Sequence, residues 1–174
     1  VASPHPLHHQ HAKAALEMGL PVMCEKPMTT RAGHARELVQ LAEEKGVPLL
    51  VPYGWHHKPF IQRAKKLMDD GAIGKIEFAT CHMASPIRDL LSGVEVDVSE
   101  ISGQDSATLF GPTPATWADP EIAGGGYAHA QISHSSGLLF WLSGLRAERV
   151  FAAMSAPGSR VELYDALTVR FAGG

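Results

Sequence analysis

Apolar residues along the first fifty positions fall into two alternating rhythms. Ala12, Ala15, Leu16 and Gly19 recur at helical spacing, which predicts a helix from about Leu7 to Met18, with Gly19 as its C-cap. Pro21–Cys24 is a continuous apolar run and reads as a strand. Thr29 or Thr30 is placed to cap a second helix, whose inner face carries Ala35, Leu38, Val39 and Ala42 and whose end is marked by Gly46. Val47–Val51 is a further strand-like run, and Val1-Ala2 reads as the tail of a strand before the loop Ser3-Pro4-His5-Pro6. Two prolines in that loop exclude helix there. The order strand end, helix, strand, helix, strand implies a parallel sheet with right-handed crossovers. Strands that are apolar throughout, not alternating, are covered on both faces.

Beyond Pro52 the texture changes. Tyr53-Gly54-Trp55-His56-His57-Lys58 is polar and aromatic, and Pro59 opens a helix in the favoured first-turn position. Phe60, Ile61, Ala64, Leu67 and Met68 make its predicted buried stripe, and Gly71 closes it. Lys75–Met83 reads as a half-buried strand. Ser85 to about Ile122 is rich in glycine and proline and has no clear period, the mark of a long functional segment. Gly124-Gly125-Gly126 leads into a helix at about Ser133–Leu142, stopped by Gly144, and two strands follow at Arg149–Ser155 and Val161–Phe171.

Composition narrows the partners. A net charge of -3, with no basic patch interleaved with aromatics, argues against nucleic acid. No apolar run is long enough to span a bilayer. Two cysteines, Cys24 and Cys81, are too few for a disulfide framework, so a reducing, cytoplasmic setting is expected. The opening Val-Ala-Ser-Pro and the closing Phe171-Ala-Gly-Gly174 read as cuts, so the 174 residues are expected to be a piece of a longer protein.

Three groups could carry chemistry. Glu25-Lys26-Pro27 ends the apolar run at Cys24, at the carboxyl end of a predicted strand, where open α/β sheets form ligand crevices. A desolvated lysine there can hold a hydroxyl or pass a proton; a surface ion pair is the plainer alternative. The ten histidines include the cluster His5, His8, His9 and His11, whose spacing is compatible with a metal-dependent hydrolase but shows no HExxH and no carboxylate at a telling spacing nearby, so no metal site is assigned. Gly124–Gly126 could cradle a phosphate, but it lacks GxGxxG spacing and reads better as a turn that brings His134 close to a site.

Their order is more specific than any one of them. Ser3-Pro4-His5-Pro6-Leu7-His8, then Ala14–Gly19, then Val22–Pro27 resembles the glucose–fructose oxidoreductase / inositol dehydrogenase / rhizopine catabolism (Gfo/Idh/MocA) family. The helix leading to Gly71-Ala-Ile-Gly74 and the glycine run followed by His134 come in the family's order. The resemblance implies an α/β fold: the C-terminal part of a Rossmann parallel sheet over residues 1–54, then over 55–174 an α+β domain with an open, mainly antiparallel sheet. It implies an NAD(P)-dependent oxidoreductase, using NAD or NADP, that moves a hydride to or from a hydroxyl-bearing carbon of a sugar, cyclitol or related polyol. It further implies a homo-oligomer formed through the second-domain sheet. Lys26 and His134 match the family's catalytic pair. Ser3, Pro4, His5, His8, Glu25, Lys26 and Pro27 match the cofactor wall. Tyr53, Trp55, His57 and Gln131 fall beside the substrate with Lys26 and His134.

Two departures qualify this. The glycine-rich phosphate loop and the acidic ribose residue lie, in the family, before Val1, so the 174-residue piece is expected to bind NAD(P) weakly. Many members carry Asp where this chain has Ala130, which leaves open a non-catalytic, dinucleotide-binding relative.

Overall fold

Helix α1 (His8–Glu17) leads into strand β1 (Val22–Met23), helix α2 (Ala32–Lys45) and strand β2 (Leu49–Leu50), the alternation that the apolar pattern predicts. A computed structural model describes residues 1–97 and 113–172. β1 and β2 pair in parallel, Val22 opposite Leu49 and Met23 opposite Leu50. Val1 lies along the other side of β1: its nitrogen donates to Met23 O at 2.6 Å and its carbonyl accepts from Glu25 N at 2.9 Å. Ala12, Leu16, Val22, Cys24, Leu38 and Ala42 form the core of this unit. Leu16 and Leu38 are fully buried, so truncating either to alanine costs about 2–5 kcal/mol.

Two local expectations need correction. The prolines of the first loop do not exclude helix: His5–Leu7 is a 3₁₀ turn that runs into α1. Pro6 sits in a first turn, where a missing N–H breaks no intrahelical bond. Neither threonine caps α2; Arg31 takes the N-cap position without a side-chain bond, and Thr29 Oγ1 donates instead to Arg31 O at 2.8 Å.

A 3₁₀ turn (Gly54–His57) connects to helix α3 (Pro59–Asp69), with Pro59 at its first position. The predicted stripe of α3 is not buried: Phe60 is 69% exposed. Lys75–Met83 forms no strand. A strand needs a hydrogen-bonding neighbour, and a cavity of about 860 Å³ separates the first part of this segment from β4. The segment read as irregular, where it is described, holds short helices α4 (Arg88–Leu91), α5 (Pro114–Trp117) and α6 (Pro120–Ala123). They surround a second core of Ile87, Leu91, Val161 and Leu163, with Trp117 and Tyr127 packed on it. The expectation over 98–112 lies outside the described residues.

A π-turn (Ala128–Ile132) precedes helix α7 (Ser133–Ser143), which ends at Gly144 in the left-handed region. Strands β3 (Ala147–Ser155) and β4 (Tyr164–Phe171) then pair antiparallel, Ser155 opposite Tyr164 and Phe151 opposite Thr168. β4 starts later than predicted because Val161 and Leu163 are drawn into the second core. The whole is an α/β chain: a parallel pair flanked by helices, followed by an antiparallel pair with α7 against it.

Candidate active site

The site begins where β1 ends. Glu25 and Lys26 leave the strand, the Lys26–Pro27 peptide is cis, and Pro27 is buried. His8, 1% exposed, ties this turn to the preceding loop: its Nδ1 bonds Pro27 O at 2.9 Å and its Nε2 bonds Ser3 O at 2.7 Å. His11 Nδ1 adds a bond to Ser3 Oγ at 3.0 Å. His5 bonds Ala123 O through Nδ1 at 3.1 Å and meets the His8 and His129 rings edge-on, at 5.6 and 5.8 Å between centroids. Ser3, Pro4, His5, His8, Glu25 and Lys26 thus line one cavity of about 480 Å³, closed on the far side by Trp117, Thr113, Thr116 and Ile122.

Lys26 is half-buried, and its Nζ donates to Ala130 O at 2.9 Å. Desolvation holds its pKa below the ordinary lysine value, against a smaller opposing pull from Glu25. The acceptor is a main-chain carbonyl of the π-turn; such one-turn widenings recur at functional sites. His134 follows in the first turn of α7. Trp55 stacks on it with centroids 5.3 Å apart, and Tyr53 meets it edge-on at 6.3 Å. Burial, then the Lys26 charge, lowers the His134 pKa, so the ring is neutral near pH 7. Burial pushes the Tyr53 phenol upward, which keeps it a proton-bearing donor. The Tyr53 ring lies directly over Gly137, where a Cβ would stand 3.2–3.3 Å from its atoms.

Lys26, His134, Tyr53 and Trp55 are therefore brought together, and Gln131 sits half-buried in the π-turn beside them. His57 is not brought in. It is exposed, and its neighbour His56 turns inward to stack on Trp141 at 4.8 Å. Sequence reasoning missed Trp117, His129 and Glu162. Trp117 belongs to a stretch without period, and Glu162 carried no local signal. His129, beside Ala130, could have been found from its place between the glycine run and His134. Its Nε2 is buried without a hydrogen-bond partner.

Among the described residues no three His, Cys, Asp or Glu side chains are grouped to hold a metal ion. Nor is any described helix long and apolar enough to cross a membrane.

Comparison with known proteins gives the family. Residues 1–53 match the GFO_IDH_MocA model, described as an oxidoreductase family with an NAD-binding Rossmann fold. Residues 61–174 match the GFO/IDH/MocA C-terminal domain. The chain is 33% identical over 91 residues to D-xylose 1-dehydrogenase [NADP(+)] of Haloarcula marismortui, covering 52% of the chain and 25% of that protein. It is 37% identical over 87 residues to inositol 2-dehydrogenase of Rhodococcus jostii, covering 49% and 24%. The matched stretches thus span about a quarter of the length of these curated relatives. An inositol dehydrogenase homolog from Azotobacter vinelandii, solved with NADH and myo-inositol, superposes with a TM-score of 0.75 at 21% identity, over 100% of this chain and 41% of that one, a likeness of fold alone.

Proposed function

The chain belongs to the GFO/IDH/MocA oxidoreductase family, and from that premise we propose that the full-length protein is an NAD(P)-dependent dehydrogenase of a sugar, cyclitol or related polyol. Residues 1–54 contribute to the cofactor domain and 55–174 to the substrate domain. The observation that carries the reading is the desolvated Lys26, held by Ala130 O at the rim of the cavity that gathers Ser3, Pro4 and His5.

The residues present suit the nicotinamide end of a dinucleotide. The cavity is walled by an indole and imidazoles, and the His129 ring stands edge-on to His5 beside it. When bound, the nicotinamide supplies the hydride acceptor. Lys26 does the rest of the work at the hydroxyl: its Nζ orients the oxygen, and in oxidation it takes up or passes on the proton. A lowered pKa makes the neutral amine accessible at milder pH than for a free lysine. His134, neutral and clamped by Trp55 and Tyr53, donates its ring N–H to the same oxygen, whose one proton goes to Lys26. The aromatic rings present apolar faces to the C–H faces of a polyol.

The homo-oligomer is proposed to form through the outward face of β3 and β4; the exposure of Phe151 and Tyr164 there, 76% and 56%, supports that reading. Cys24 and Cys81 are both free thiols, in keeping with a cytoplasmic protein.

The test uses the full-length protein with NAD+ and NADP+ against a panel of aldoses, inositols and anhydrosugars, read by nicotinamide absorbance. One or more substrates should turn over, and Lys26→Ala should lower kcat by at least about 10² with the fold retained. Dinucleotide binding without turnover anywhere on the panel defeats the catalytic reading in favour of a non-catalytic binder. Near-normal kcat in Lys26→Ala removes the lysine from the mechanism.

A further inference from the structure

We propose that Glu162, remote in sequence from the site, is a positioning residue for Lys26, acting through the main chain of the π-turn. The first link is the clamp. Glu162 Oε1 accepts the Gly126 N–H at 2.6 Å, and the Glu162 carbonyl accepts the Tyr127 N–H at 2.9 Å. One residue thus engages two successive amides at the entry of the turn. The second link is the approach it requires. A Cβ on Gly126 would lie 2.1 Å from Glu162 O, so the clamp closes only over a bare main chain. The third link runs along the turn: Ala130 N donates to Gly126 O at 2.9 Å, and Ala130 O receives Lys26 Nζ at 2.9 Å.

Glu162 is itself held firmly. It lies between Val161 and Leu163, which are 2% and 6% exposed in the second core. The groups whose charge Lys26 shares are Glu25, His5, His129 and His134; Glu162 is not one of them, but faces His129 and Asp165. The path from Glu162 to Lys26 runs through the hydrogen bonds of Gly126 and Ala130. A carboxylate accepting a main-chain N–H is a charge-assisted bond, and its loss frees the turn's first amides.

The inference rests on the proposed role of Lys26, and the test separates the two. In the full-length protein, Glu162→Ala and Glu162→Asp, the latter too short by one methylene to reach Gly126, are compared with Glu162→Gln, whose amide oxygen can accept the same N–H. The pH midpoint of Lys26 acylation by acetic anhydride is read by mass spectrometry of its peptide, alongside the melting temperature. Turnover is read on the panel sugar that the wild type oxidises fastest. Ala and Asp should move the midpoint up toward the ordinary lysine range by about half a unit or more. They should also lower kcat roughly ten- to hundredfold, KM staying within about twofold. Gln should stay within about twofold of wild type in both readouts. If Glu162→Ala does not fold, the Asp and Gln pair decides by the same readouts. An unmoved midpoint and kcat in folded Glu162→Asp overturns the proposal. So does a Gln variant as impaired as Asp at equal melting temperature. Failure of Lys26→Ala to slow turnover, with the midpoint still moving, sinks the catalytic role of Lys26 and leaves the positioning intact.

Discussion

At Lys26, burial and the neighbouring Glu25 pull the proton in opposite directions, and burial is the larger effect. At His134 burial and the Lys26 charge act together, so a lysine and a histidine in contact with one site are both shifted toward their neutral forms. Such pairs divide a proton transfer between a mover and an orienter. His134→Ala in the full-length enzyme should lower kcat by roughly 10²–10⁴ if the ring handles the proton. A loss below about tenfold, measured under saturating polyol, makes it an orienting group only. Lys26 and His134 could be singled out in the sequence because a strand end closed by Pro27 and a glycine run come in an order that resembles the family; neither marker is specific alone. Trp55 and Tyr53 were legible as neighbours of the same chain segment. Glu162 was not, since its placement depends on contacts made from other elements.

Among the elements, the π-turn is the one without a sequence signature. The sequence places a helix only at about Ser133–Leu142, and only the structure shows that Ala128–Ile132 before it is wound one residue wider than an α-helix. Its entry also brings main chain close to main chain: a Cβ on Gly126 would lie 2.1 Å from Glu162 O. Gly126→Ala should destabilise the protein by about 1–3 kcal/mol, because its Cβ collides with main chain and not with a side chain that can swing away. Urea unfolding of the variant checks this, and an unchanged midpoint means that the Glu162 loop yields. The alternation of α1, β1, α2 and β2 was readable because each buries a regular stripe or run. Lys75–Met83 has strand-like composition, yet pairing is a property of two segments, and β4 does not reach it. The short helices α4 to α6 escape periodicity because one turn is too brief to show a period.

Over the whole molecule, burial lowers the pKa of His5, His56, His129 and His134 from the ordinary 6.5. In the folded state these rings resist protonation, so below that pH the unfolded chain binds more protons. Stability therefore rises with pH through this window. Their contribution is whole above the unfolded value and is lost as pH falls below it. Asp165, whose carboxyl burial raises, works against the trend, but four rings outnumber one carboxyl. The melting temperature should fall between about pH 7.5 and about pH 5.5, and one that rises over that interval contradicts the burial of the cluster. The hydrogen bond from Lys26 to Ala130 joins groups 104 residues apart and ties the parallel-sheet unit to the histidine helix. Its acceptor is an uncharged carbonyl, and both the ammonium and the neutral amine carry N–H donors. The latch between the two parts of the chain therefore holds in either protonation state, and the lysine can surrender and regain its proton without the cleft coming apart.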